Sequence, residues 1–154
     1  MYWIISLIKL SFLFKKICIA SDHAGFNLKE TIKDLLIKNQ ISTIDLGPYS
    51  DNSVDYPDFA KKIAIRVKSK KSHIGILVCG SGTGMAISAN KLRGIRAAVC
   101  YNLKSTYLCR AHNNANIICI GARLTKKKDI KEILRTFLNT KFEGGRHLRR
   151  VKKI

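Results

Sequence analysis

The chain has 154 residues, 46% of them hydrophobic and only two of them proline, which suits one ordered domain with a sizeable core and excludes an intrinsically disordered chain. Its formal net charge of +19 points first to a polyanion. The charge is spread, however, over Lys61, Lys62, Arg66, Lys68, Lys70 and Lys71 in one helix-like segment and over Lys126, Lys127 and Lys128 at the start of another, and lysine far outnumbers arginine. That pattern suits a solvated surface that attracts a phosphorylated small molecule better than base readout, so no nucleic-acid partner is expected.

The first stretch, MYWIISLIKLSFLFKK, is too short to span a bilayer and is broken by Lys9. It lacks the positive start and small-residue cleavage site of a signal peptide. Residues 1–14 are read as an extension outside the fold, against the alternative of a membrane-surface segment, and no membrane partner is expected. One domain then runs over 15–154.

Along that domain, apolar runs alternate with amphipathic stretches. Strands are predicted at 17–21, 41–46, 74–79, 95–100 and 116–120, each a short run rich in Ile, Val or Ala. Helices are predicted at 26–38, 56–67, 85–92, 103–111 and 127–138, with Pro57 where a helix start tolerates it. Gly47-Pro48 closes the second strand and 49–55 is a polar loop. Five alternations predict an α/β fold: a three-layer, Rossmann-like domain with a five-stranded parallel sheet. The third strand, IGILVC, is apolar throughout, as in a sheet covered on both faces.

Ligands of such sheets bind beyond the carboxyl ends of the strands. Strand one ends in Ser21-Asp22-His23-Ala24-Gly25, strand three in Cys79-Gly80-Ser81-Gly82-Thr83-Gly84, and strand five in Gly121-Ala122-Arg123; the helix after strand four ends in His112-Asn113-Asn114. The glycine loop lacks the acidic ribose partner about 20 residues on that the dinucleotide fingerprint requires, and it lacks the Gly-Lys-Ser/Thr ending of a P-loop. What it retains is a set of backbone N–H groups able to cradle an oxyanion or phosphate. Cys79 stands at its lip, either as a buried core thiol or as an active base or nucleophile. No Asp or Glu occurs from Phe59 through Lys128, so strands three to five offer no carboxylate base.

The other candidates also have two readings. Asp22 is either a helix cap or a strand-end carboxylate beside His23. His112 either caps its helix or faces the ligand. Arg146-His147-Leu148-Arg149-Arg150, behind Gly144-Gly145, is either a basic tail or a clamp that folds back onto a phosphate. No tight set of His, Cys and carboxylate ligands stands out, so no metal is expected. Five cysteines without a CxxC pair suit a reducing, cytoplasmic setting with no disulfide framework.

SDHAG, DYPDFA, CGSGTGM, HNNAN, GAR and EGGRH, in this order over about Lys15 to Val151, resemble the type B ribose-5-phosphate isomerases, a family that includes galactose-6-phosphate and allose-6-phosphate isomerases. The resemblance implies an aldose–ketose isomerase that interconverts ribose 5-phosphate and ribulose 5-phosphate in the pentose phosphate pathway through an enediolate; the alternative is the same reaction on a six-carbon sugar phosphate. It implies Cys79 as the proton-transfer base, His112 as the ring-opening residue and Asp22 as the holder of sugar hydroxyls. One branch of the family has Ser in place of this Cys and a Glu four residues later; here that later residue is Thr83, so this chain resembles the cysteine branch. Phosphate ligands fall on His23, Arg146 and Arg150, with Arg123 nearby. Asn113 and the amides of Gly80, Ser81, Gly82, Thr83 and Gly84 would face the sugar, and Ser81 stands where the family often has Thr. The resemblance implies no metal or organic cofactor. It also implies a homodimer with shared sites, in which His112, Asn113 and Arg123 serve the partner.

Overall fold

In the computed structural model, which describes residues 16–154, five strands form one parallel sheet of order β2-β1-β3-β5-β4. The expected extension at 1–14 lies outside the described residues. In chain order the elements are β1 (Ile17–Ser21), α1 (Phe26–Lys38), β2 (Thr43–Asp45), α2 (Tyr56–Lys68), β3 (Ile74–Cys79), α3 (Thr83–Ala89), β4 (Ala97–Val99), α4 (Leu103–Ala111), β5 (Ile117–Gly121), α5 (Ile130–Asn139) and α6 (Gly145–Val151). A turn of 3₁₀ helix, Lys127–Asp129, leads into α5.

The central strands β1, β3 and β5 are buried at every residue, because alternate side chains feed two separate cores. On one face, Ile17, Ile19, Ile76 and Ile120 meet Ile32 and Leu36 of α1 and Ile133 and Phe137 of α5. On the other, Cys18, Leu77 and Cys119 meet Ala60, Ile63 and Val67 of α2 and Met85 and Ala89 of α3. Each isoleucine so buried contributes roughly 2–3 kcal/mol of transfer free energy. The three-layer α/β reading therefore holds.

The bounds of α3 differ from the sequence reading at both ends, for local reasons. Helix α3 begins at Thr83 rather than at 85, because Gly82 takes a left-handed turn (φ 81°) directly before it. It stops at Ala89 rather than at 92, because the Asn90 side chain leaves the helix to bond both the N–H and C=O of Ala97 (2.8 and 2.9 Å). Helix α6 was not expected from the sequence. Its seven residues begin at two glycines of positive φ, Gly144 and Gly145, which turn the chain abruptly after Glu143.

The sheet order places the topological switch between β1 and β3. The chain leaves β1 for β2 on one side and returns to β3 on the other, so the connections after β1 and β3 diverge and open a crevice. On its flank, the buried Lys29 of α1 donates to both carboxylate oxygens of Asp45 (3.0 and 2.9 Å) and to the Pro48 carbonyl (2.6 Å). This ties the end of β2 and the loop beyond it to α1.

Candidate active site

The crevice at the switch point is an open hollow of about 460 Å³ lined by Asp22, His23, Tyr56, Cys79, Gly80, Ser81, Gly84 and Arg123, with Ala24 and Leu124. The connections after β1, β3 and β5 converge here because the strands they follow are parallel and in register: Ser21 lies beside Val78, and Cys79 beside Gly121.

Cys79 is the last residue of β3 and is 4% exposed. The Gly82 N–H donates to its Sγ at 3.1 Å, which fixes the sulfur at the head of the glycine loop. The Thr83 N–H is turned to the Ser81 Oγ at 3.3 Å. Of the loop residues, Gly80, Ser81 and Gly84 line the crevice, while the Gly82 and Thr83 N–H groups bond within the turn itself. The loop is held from the β5 side by Ala122 N–H to Cys79 C=O (2.8 Å) and Arg123 N–H to Gly80 C=O (3.1 Å). It packs so closely on β5 that a Cβ at Gly121 would stand 2.6 Å from the Ser81 carbonyl oxygen.

Asp22 is buried, and its Oδ1 accepts from the Gly25 N–H at 2.9 Å. The carboxylate thus shapes the turn ahead of α1, whose N-cap is Gly25 rather than Asp22, and also lines the crevice. His23 is exposed, with Nδ1 3.3 Å from both the N–H and the C=O of Val54, so the polar loop before α2 sets its ring. The Arg123 guanidinium lies over the backbone of Gly80, where a Cβ would meet its Nη1 at 3.2 Å. Arg123 lines the crevice of its own chain. Tyr56 was read only as a helix start; its ring covers Gly84 at a distance that leaves no room for a Cβ there.

His112, Asn113, Arg146 and Arg150 do not line this crevice. Asn113 lies in a separate hollow with Asn90, Arg96 and Ala98. His112 caps the C-terminus of α4, its N–H bonding the Leu108 C=O at 2.9 Å. Its ring stacks on that of His147 from α6, with centroids 4.1 Å apart and planes 10° from parallel. Glu143 Oε2 lies 3.6 Å from His112 Nε2 and 3.7 Å from His147 Nε2, and Tyr107 of α4 donates to Glu143 Oε1 at 3.1 Å. Burial, together with the nearby His112, Arg146 and Arg150, pushes the His147 imidazole below the usual histidine range. The sequence reading gave no role to Glu143, His147 or Tyr107. Only the EGGRH motif marked two of them, and their meeting depends on the unexpected α6.

All five cysteines are free. Burial pushes the Cys18 thiol up to about 11, as befits a small core hydrophobe. No helix among the described residues is long and apolar enough to cross a membrane.

Residues 17–154 match the family described as Ribose/Galactose Isomerase. The ribose-5-phosphate isomerase B of Escherichia coli (strain K12) is 41% identical over 140 residues, covering 91% of this chain and 94% of that protein. Among solved structures, a ribose 5-phosphate isomerase of Thermotoga maritima is 51% identical with a TM-score of 0.88, covering 90% of this chain and 95% of that one. The ribose-5-phosphate isomerase B of Mycoplasma genitalium, with bound ribulose-5-phosphate, is 44% identical with a TM-score of 0.84, covering 90% of this chain and 92% of that one.

Proposed function

The chain belongs to the ribose/galactose isomerase family, and we propose that it interconverts ribose 5-phosphate and ribulose 5-phosphate, with Cys79 as the base. The observation that carries this reading is the placement of Cys79 Sγ at the mouth of the switch-point crevice, in a region of sequence that holds no carboxylate. The relatives named for this activity, one of them with ribulose-5-phosphate bound, support the substrate.

The reaction moves a hydrogen between adjacent carbons. The Cys79 thiolate takes the proton from C2 of the open-chain aldose, and the electron pair passes into an enediolate whose charge falls on the carbonyl oxygen. The Gly80 and Ser81 amides, with the Ser81 hydroxyl, would be the donors for that charge, since both residues line the crevice. Return of the proton to C1, with transfer of the C2 hydroxyl proton to the C1 oxygen, gives the ketose and restores the thiolate. Asp22 holds sugar hydroxyls, and His23 and Arg123 draw in the phosphate. The phosphate's binding energy positions the carbons over the sulfur.

His112, Arg146 and Arg150 do not line the crevice of their own chain. A homodimer would complete it with His112, Asn113, Arg146 and Arg150 of the partner subunit. No step calls for a metal or organic cofactor, and the spread positive charge steers the sugar phosphate. A cytoplasmic location fits the free cysteines.

The test is isomerisation of ribose 5-phosphate by the purified protein in EDTA beside a Cys79→Ala control. Turnover by the wild type alone is the expected result. Turnover by both proteins would remove Cys79 as base. No turnover on ribose 5-phosphate, with turnover on allose or galactose 6-phosphate, would move the substrate to six carbons.

A further inference from the structure

We propose that Glu143 is a positioning residue for ring opening: it keeps the proton of the neutral His112 imidazole on Nε2 and so leaves Nδ1 to act on the sugar. The ring-opening half rests on the role proposed above for His112; the tautomer does not.

The stack sets the geometry. The His112 and His147 rings lie face to face, 4.1 Å apart and 10° from parallel, so neither ring can donate in its own plane to the other. Glu143 Oε2 stands 3.6 Å from His112 Nε2 and 3.7 Å from His147 Nε2. An ionised carboxylate only accepts, so it attracts a proton on either of these nitrogens and repels the lone pair of a bare one. A small rotation of the part-exposed Glu143 brings Oε2 to hydrogen-bond length from His112 Nε2. The partner of one ring nitrogen decides which nitrogen carries the proton, and here that partner is an acceptor at Nε2.

The carboxylate is itself held from two sides. Tyr107 of α4 donates to its Oε1 at 3.1 Å, which leaves Oε2 for the imidazoles. That bond raises the Tyr107 phenol above its usual range, so it stays a donor at neutral pH. The Glu143 N–H bonds the C=O of Ala111, the residue before His112, at 3.0 Å. Directly after Glu143, the positive φ of Gly144 and Gly145 turns the chain into α6, which carries His147.

Charge then separates the two rings. Arg146 and Arg150 of α6 add positive charge beside the stack, and among the described residues Glu143 is the only acid paired with either imidazole. Burial first, then His112, Arg146 and Arg150, hold His147 below the usual histidine range. His147 is thus the neutral platform, and a positive charge falls on His112, whose side chain is 34% exposed against 10% for His147. Opening the sugar ring removes the proton of the anomeric hydroxyl, breaks the bond between C1 and the ring oxygen, and puts a proton on that oxygen. His112 Nδ1 can take the first proton and return it to the second site, with no net change in the imidazole. In between, the ring is an imidazolium, and the Glu143 carboxylate stabilises it across Nε2–H.

The experiment follows the four histidines of full-length, nitrogen-15-labelled protein by NMR, with His112→Ala to identify one set of signals, beside steady-state turnover of ribose 5-phosphate. Wild-type His112 should show a proton on Nε2 and a bare Nδ1 when neutral. Glu143→Gln keeps an oxygen for Tyr107 but turns an amide N–H toward the rings, which reverses the preference. His112 should then move to the Nδ1–H form and bind its titrating proton about tenfold more weakly. The kcat should fall about tenfold at near-unchanged KM. An Nδ1–H tautomer in the wild type, or a tautomer and titration unmoved by Glu143→Gln, would overturn the proposal. A moved tautomer with unchanged kcat would overturn the part in ring opening. If Glu143→Gln fails to fold, Tyr107→Phe replaces it, with proton binding at His112 expected to weaken about threefold; an unchanged titration there would count against the proposal. Should the wild type turn over no sugar phosphate, the ring-opening half falls with the reading it rests on, and the NMR signals still decide the tautomer.

Discussion

The crevice around Cys79 and the histidine cluster at the end of α4 are built by different means. The crevice is a product of the sheet. Its residues follow β1, β3 and β5, strands in fixed register, and its loop is closed by amide bonds to a sulfur, a hydroxyl and two carbonyls. The cluster depends on side chains from α4, Glu143 and α6, held by one tyrosine hydrogen bond and a ring stack, and it is partly open to solvent. The crevice is thus held by backbone bonds of the sheet, and the cluster by side chains that can adjust. The first suits proton transfer, which tolerates little displacement; the second suits ring opening and phosphate capture at an approach to the site.

The contrast can be broken at several points, and the largest effect is expected at the sulfur. Cys79→Ala should lower kcat by about 10³-fold while leaving the fold intact, measured by steady-state assay and circular dichroism. Gly121→Ala should follow. Its Cβ would press on the Ser81 carbonyl and shift the loop, lowering kcat by about 10²-fold at near-unchanged KM for a displacement on the order of 1 Å. Normal kcat in that variant would show that the loop is not held rigid by β5. On the adjustable side, Arg146→Ala should raise KM about tenfold with little change in kcat, as loss of a remote phosphate contact does.

The remaining effect falls on stability rather than turnover, at the flank of the crevice. Burial acts to raise the Asp45 carboxyl, but hydrogen bonds from Lys33, the Gly47 amide and Lys29 outweigh it and hold it below the ordinary carboxylate range. A carboxyl lowered in the folded state contributes stability above its unfolded value of about 3.9, and that contribution fades as pH falls through the lower folded value. Asp45→Asn should therefore cost about 2–3 kcal/mol at pH 7, by leaving buried Lys29 with less compensation, and the gap from wild type should narrow below about pH 4 and close below the lower folded value. Urea unfolding at both pH values measures it; a gap independent of pH would show that the ion pair contributes nothing.

The same division explains what the sequence made legible. Ile17, Ile76 and Ile118 stand in short β-branched runs, so the strands could be found, and with them the residues that follow β1, β3 and β5. Asp22, His23, Cys79, Ser81 and Arg123 were within reach by that rule alone. The inward turn of the Gly82 and Thr83 amides was not, because it depends on the positive φ of Gly82 and on which acceptors the loop carries itself. Nor was the meeting of His112 with Glu143 and His147. Helix α6 is short, strongly basic and opened by two glycines, so neither periodicity nor propensity announces it. Arg146 and Arg150 read equally well as a solvated tail until that helix is seen.

The central claim is that two half-sites from two subunits make one active centre, and subunit complementation tests it most directly. Cys79→Ala and His112→Ala proteins, each inactive alone, would be unfolded and refolded together, and mixed dimers verified by differential tags. Shared sites predict that activity returns to about one quarter of the wild-type value, since half of the dimers are mixed and each mixed dimer holds one intact site. A verified population of mixed dimers that stays inactive would contradict the account.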